Sequence, residues 1–133
     1  MALTLVDTSA WVGFLRHVGP PESHPLSALM KKGGVAVTEP VVMELLAGAG
    51  DPARRRKLRR LLVSFDHLPF ESTIDFAEAA RIYRECRANG HTPRNQIDCM
   101  IAAVALRNDI AVLSDDVDFD RIAAVTGLKL QAA

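Results

Sequence analysis

Three short apolar runs constrain this chain most: LTLV (Leu3 to Val6), VAV (Val35 to Val37) and IAVL (Ile110 to Leu113). None carries a charge to place at a solvated face, and none is long enough for a helix. Each therefore reads as a strand buried on both sides, the strands covering residues 3–7, 35–38 and 110–114. HLPF (67–70) is a weaker third strand in chain order, and LKLQ (128–131) a fifth. Segments of helical spacing fill the gaps: 8–17, 26–32, 38–48, 53–65, 74–88, 96–107 and 118–127. Strands alternating with helices predict an α/β fold, with a mostly parallel five-stranded sheet covered on both faces and joined by right-handed crossovers.

Helix punctuation supports that division. Thr38 and Pro40 suit the start of the third helix, and Gly48 and Gly50 its end. Trp11, Phe14, Leu15 and Val18 recur at helical spacing, with Trp11 read as core. In the long helix, Phe76, Ala79, Ala80, Tyr83 and Cys86 form the expected buried face. At 133 residues the chain is expected to form one domain, 1–133, with no linker or repeat to divide it. No apolar run approaches the ~20 residues that span a bilayer, and MALTLVDTSA lacks the basic and apolar regions of a secretion signal. Cys86 and Cys99 lie on separate predicted helices, which favours free thiols in a reducing cytoplasm over a disulfide.

Net charge is zero, which excludes a general electrostatic argument for nucleic-acid binding, but the charge is unevenly spread. Residues 1–66 hold nine Lys/Arg against six Asp/Glu, and residues 67–133 hold seven against ten. RRRKLRR (Arg54 to Arg60) and SDDVDFD (Ser114 to Asp120) account for most of the contrast.

Parallel sheets place their sites at the carboxyl ends of the strands. Asp7 ends the first strand, and Asp115, Asp116 and Asp118 follow the fourth. Glu44 is the single carboxylate among Val41, Val42, Met43, Leu45, Leu46 and Ala47. Asp98 is the single charge between residues 96 and 106. Each acid has an ordinary reading. Asp7 can cap the helix it precedes, Glu44 can face solvent, Asn95 and Asp98 can form a capping box, and Asp116 and Asp118 can cap the last helix. Together they are harder to dismiss, because isolated carboxylates in apolar surroundings are costly and several at one edge repel. A hard divalent cation such as Mg²⁺ or Mn²⁺ resolves both difficulties with oxygen ligands alone. It would also orient a water for in-line attack on phosphorus, so the residues point to phosphodiester hydrolysis.

The stretches LVDTSAW, PVVMELLAG, NQIDCMIAAVA and VLSDDVDFDRIA, in this order across nearly the whole chain, resemble the PIN domain. The resemblance is to the VapC-type ribonuclease toxins of bacterial toxin–antitoxin pairs. It implies an α/β/α sandwich and an acidic cluster that binds Mg²⁺ or Mn²⁺ to cleave RNA. Carried onto this chain, Asp7, Glu44, Asp98 and Asp116 match the acidic quartet, and Asp118 a further acid; the metal set is Asp7, Asp98, Asp116 and Asp118. Thr8, Ser9 and Ser114 resemble supporting hydroxyls. The implied partners are an RNA substrate, a cognate VapB-type antitoxin that obstructs the site, a second copy in a homodimer, and operator DNA reached only through the antitoxin.

Arg54, Arg55, Arg56, Lys57, Arg59 and Arg60 are candidate RNA contacts, with a solvated helix face as the alternative. Arg94, just before the Asp98 helix, is a further candidate for holding a substrate phosphate. A haloacid-dehalogenase-like phosphatase would need Asp-x-Asp after the first strand, where this chain has Asp7-Thr8-Ser9. A receiver domain would need an acidic pair there and a late lysine, and Arg107 and Lys129 are poor substitutes. A non-catalytic binding module is disfavoured because all four expected acids are present.

Overall fold

The computed structural model describes residues 2–132. β1 (Thr4–Val6), β2 (Val35–Val37) and β4 (Ala111–Leu113) are the three apolar runs, and β3 is the two-residue Asp66–His67. All pair in parallel, in the order β3-β2-β1-β4. The register sets Thr4 opposite both Val35 and Ala111, so β1 is central and buried throughout. From β1 the chain winds outward through β2 to β3, then returns to the other side of β1 with β4. The order thus reverses between β1 and β4, which is where a parallel sheet opens a crevice.

Seven helices are described: α1 (Thr8–Leu15), α2 (Pro25–Lys32), α3 (Glu39–Gly48), α4 (Pro52–Leu62), α5 (Ser72–Ala88), α6 (Gln96–Arg107) and α7 (Val117–Thr126). A 3-10 turn at Pro21–Ser23 precedes α2. α6 buries Cys99 and the whole run Ile101–Ala105, a helix apolar nearly all round and packed between the sheet and α5. Trp11 is fully buried in the core, and Cys86 and Cys99 are buried free thiols. Among the described residues no helix is long and apolar enough to cross a membrane.

Four expectations need correction. The fifth strand is reduced to a single parallel bridge between Leu130 and Val112, so the sheet has four strands among the described residues. β3 pairs at Asp66–His67 rather than along 67–70, because Pro69 has no N–H to extend a ladder. α5 buries Asp75, Ala79, Ile82 and Cys86, while Phe76 and Ala80 are exposed and Tyr83 is half-buried. Asp75 takes the buried position because Arg107 of α6 donates to both its oxygens, at 3.0 and 2.9 Å. Val18 lies beyond the end of α1 and is exposed, since α1 stops at Leu15.

Candidate metal centre

Asp7 follows β1, where its backbone N–H still pairs with Leu113 of β4. Its side chain caps α1 by accepting from the Ala10 N–H at 2.9 Å. The ordinary reading and the site reading therefore coincide in this residue. Ser9 Oγ donates to Asp7 Oδ1 at 2.9 Å, and Ser114 Oγ donates to Oδ2 at 2.7 Å. Those two hydroxyls also accept from the backbone of the next loop: Ser9 Oγ from Asp115 N and Ser114 Oγ from Asp116 N, both at 2.9 Å. The carboxylate after β1 and the loop after β4 are thus one hydrogen-bonded unit.

That loop turns into α7 at Asp116, whose Oδ1 caps the helix by accepting from Asp118 N at 2.9 Å. The cap places Asp116 and Asp118 on the same side as Asp98, which stands in the first turn of α6. One carboxylate oxygen from each of Asp98, Asp116 and Asp118 lies within 4.8 Å of the others. Asp115 turns the other way, its Oδ2 so near α1 that a Cβ at Gly13 would come within 2.9 Å of it. Glu44 reaches the cleft from α3, where Thr8 Oγ1 donates to Oε1 and Asn95 Nδ2 donates to Oε2 at 3.4 Å.

The result is a cleft of about 440 Å³ lined by Asp7, Thr8, Ser9, Glu44, Arg94, Asn95, Asp98, Asp116 and Asp118. All five acids of the sequence reading meet here, although Asp7 and Glu44 stand outside the tight three-oxygen cluster. Ser114 supports the cleft from behind, through Asp7. Asn95 and Arg121 were not read as site residues in the sequence. Asn95 was visible only as a helix cap, which it also is, accepting from Ile97 N at 2.8 Å. Arg121 donates to Asp118 Oδ1 at 3.2 Å, and its signal was the i, i+3 spacing on α7.

Electrostatics distinguish the acids. Burial raises Asp7 to about 6, despite the opposing bonds from Ala10, Ser114 and Ser9. Asp98 rises to about 7, first through burial and then through repulsion by Asp116, Asp7, Glu44 and Asp118. It is 8 % exposed, and no donor among the described residues offsets its charge. Asp118 is more deeply buried but is compensated by Arg94 and Arg121. A buried carboxylate facing other carboxylates without a cation of its own fits a divalent metal, and the donors are all oxygen, which suits Mg²⁺ or Mn²⁺.

The basic helix α4 is exposed along all six cations. Of these, Arg54 and Lys57 line a second groove with Arg16, over a floor that includes Val12, Leu45 and Leu58. Arg55, Arg56, Arg59 and Arg60 line neither cleft. Glu44 belongs to both walls, so the groove and the acidic cleft meet at that residue.

Fold and site define an α/β protein with a carboxylate-lined cleft at the switch point of a parallel sheet. The profile of the PIN domain family matches residues 4–125, and the chain belongs to that family. Ribonuclease VapC11 of Mycobacterium tuberculosis is 39% identical over 129 residues, covering 96% of each chain. VapC ribonuclease Mb1587 of Mycobacterium bovis shows the same identity and coverage. Among solved structures, VapBC2 from Rickettsia felis, bound to a DNA fragment from its promoter, superposes with a TM-score of 0.77 over 97% of each chain, at 19% identity.

Proposed function

We propose that this PIN-domain nuclease hydrolyses RNA phosphodiester bonds with Mg²⁺ or Mn²⁺ and acts as the toxin of a toxin–antitoxin pair. Asp98 is the observation that carries the reading: a buried, unpartnered carboxylate within 4.8 Å of oxygens of Asp116 and Asp118. Those three residues would hold the cation, with Asp7 facing the same cleft. When bound, the cation supplies charge neutralisation and an activated water for attack on phosphorus. Asp7 keeps the loop after β4 in register through Ser9 and Ser114. Glu44, oriented by Thr8 and Asn95, adds an anionic oxygen at the cleft wall.

RNA as the substrate is supported by relatives named as ribonucleases along almost the whole chain. A VapB-type antitoxin as partner is supported by the VapBC architecture of the structural neighbours, and operator contact through that partner by the DNA-bound complex. A cytoplasmic homodimer completes the proposal. The test uses purified protein freed of any partner. RNA cleavage is expected with Mg²⁺ or Mn²⁺, none with EDTA, and none for Asp98→Ala of unchanged circular dichroism. Equal cleavage in EDTA would overturn the mechanism.

A further inference from the structure

Arg94 lies in the loop just before α6 and spans two of the clustered acids. Its Nη2 donates to Asp116 Oδ1 at 3.0 Å, and its Nε to Asp118 Oδ2 at 3.3 Å. Its backbone N–H donates to the same Asp118 oxygen at 3.3 Å. We infer that Arg94 is the resident counter-charge of the carboxylate cluster: it contests the oxygens a divalent cation requires, yields them when that cation binds, and then holds the RNA phosphate. The inference rests on the ribonuclease reading.

Three features support the exchange. The Arg94 side chain is 70% exposed, so little beyond the two carboxylates fixes it. It stands outside any helix, and its departure breaks no backbone hydrogen bond of α6. Asp118 keeps the Arg94 backbone N–H on Oδ2 and Arg121 on Oδ1 after the guanidinium leaves, so no buried charge is stranded. Arg121 is the fixed partner, bound to α7 one turn from Asp118, and Arg94 the exchangeable one. The two guanidiniums serve only Asp116 and Asp118, which leaves Asp98 without a partner and the cluster ready for a doubly charged ion. Once free, the fork remains tethered at the cleft wall, where its planar donors match a phosphate in bidentate fashion.

The experiment compares Mn²⁺ affinity of wild type, Arg94→Gln and Arg94→Lys by isothermal titration at low ionic strength, with melting temperature as the folding control. Removing the competing pair is expected to tighten Mn²⁺ binding about fivefold in Arg94→Gln, the scale of an exposed ion pair. Arg94→Lys, which keeps the charge but cannot fork, should fall between. At saturating Mn²⁺, the KM for RNA should rise about tenfold in Arg94→Gln with a smaller change in kcat, as expected for a lost charge-assisted phosphate contact. Equal or weaker Mn²⁺ binding in Arg94→Gln would show that Arg94 supports the cluster rather than contests it, and would overturn the inference. An unchanged KM would overturn the phosphate role. If wild type binds Mn²⁺ yet cleaves no RNA, the ribonuclease reading and the phosphate role fall while the affinity comparison still decides the exchange. If it binds no Mn²⁺, both fall.

Discussion

Asp98 occupies the first turn of α6, where the helix dipole favours an anion by roughly 0.3–1 kcal/mol. Burial and the neighbouring acids outweigh that, moving it from 3.8 to about 7. Asp7 is shifted in the same direction, to about 6. Because both values are raised, the folded metal-free protein retains protons that the unfolded chain has released. Their contribution to stability is full below about pH 4 and is lost as pH rises through about 6 and then about 7. Metal binding acts on the same protons in the opposite sense, since ligands must be ionised. Mn²⁺ should therefore raise the melting temperature more at pH 8 than at pH 6, and calorimetric titration at pH 6.5 should show proton release. Asp98→Asn removes the buried charge, so metal-free Asp98→Asn should melt above wild type at pH 8, by about 3 °C or more for each kcal/mol recovered. A lower melting temperature would mean that Asp98 is paired in the metal-free protein after all.

At the scale of elements, the Asp75–Arg107 pair ties the start of α5 to the end of α6. Asp75 is fully buried, and Arg107 also reaches Pro69 O at 2.8 Å, so one guanidinium fixes the β3–α5 corner against the helix that carries Asp98. Arg107→Met strands the carboxylate and should cost about 3–5 kcal/mol in urea unfolding. Adding Asp75→Asn should restore a large part of that, and a single-variant cost below about 1 kcal/mol would mean the corner is held by other contacts. This pair also shows why part of the fold was illegible in the sequence. Hydrophobic spacing assigns Asp to solvent, so the face of α5 was read through Phe76, Ala80 and Tyr83. The partner that buries Asp75 lies 32 residues away, and no local pattern encodes it. LKLQ likewise has strand-like alternation, but only Leu130 forms a bridge. By contrast, α6 was legible from residue 96 to residue 107, because a run apolar nearly all round, capped by Asn95, admits few alternatives. Asp7, Asp116 and Asp118 were legible as cleft residues because topology brings strand ends together, whereas Glu44 and Asp98, carried on helices, stood out as lone acids in apolar stretches and through the family resemblance. The positions of Arg94 and Arg121 against Asp118 depend on side-chain geometry instead.

For the whole molecule, the difference between the two halves of the sequence becomes a spatial arrangement. The acidic cleft and the groove edged by Arg16, Arg54 and Lys57 share Glu44, so on the proposed function a bound RNA strand would place one phosphate at the carboxylate cluster and its neighbours beside the basic edge. Of the α4 cations, only those facing that groove are expected to bind phosphate; Arg56, Arg59 and Arg60 line neither the groove nor the acidic cleft. A phosphate contact to single-stranded RNA contributes about −0.7 to the slope of log K against log salt. The double variant Arg54→Ala/Lys57→Ala should therefore flatten the slope by about 1.4 and weaken binding at low salt. The measurement is RNA anisotropy in an Asp98→Asn background, which prevents cleavage during titration. The triple variant Arg56→Ala/Arg59→Ala/Arg60→Ala removes more charge, so a purely global electrostatic effect would make it the weaker binder. If the groove guides the RNA, the triple variant should keep the parental slope to within about 0.3, well under one phosphate contact. A larger loss in the triple variant would place the strand along the outer face of α4.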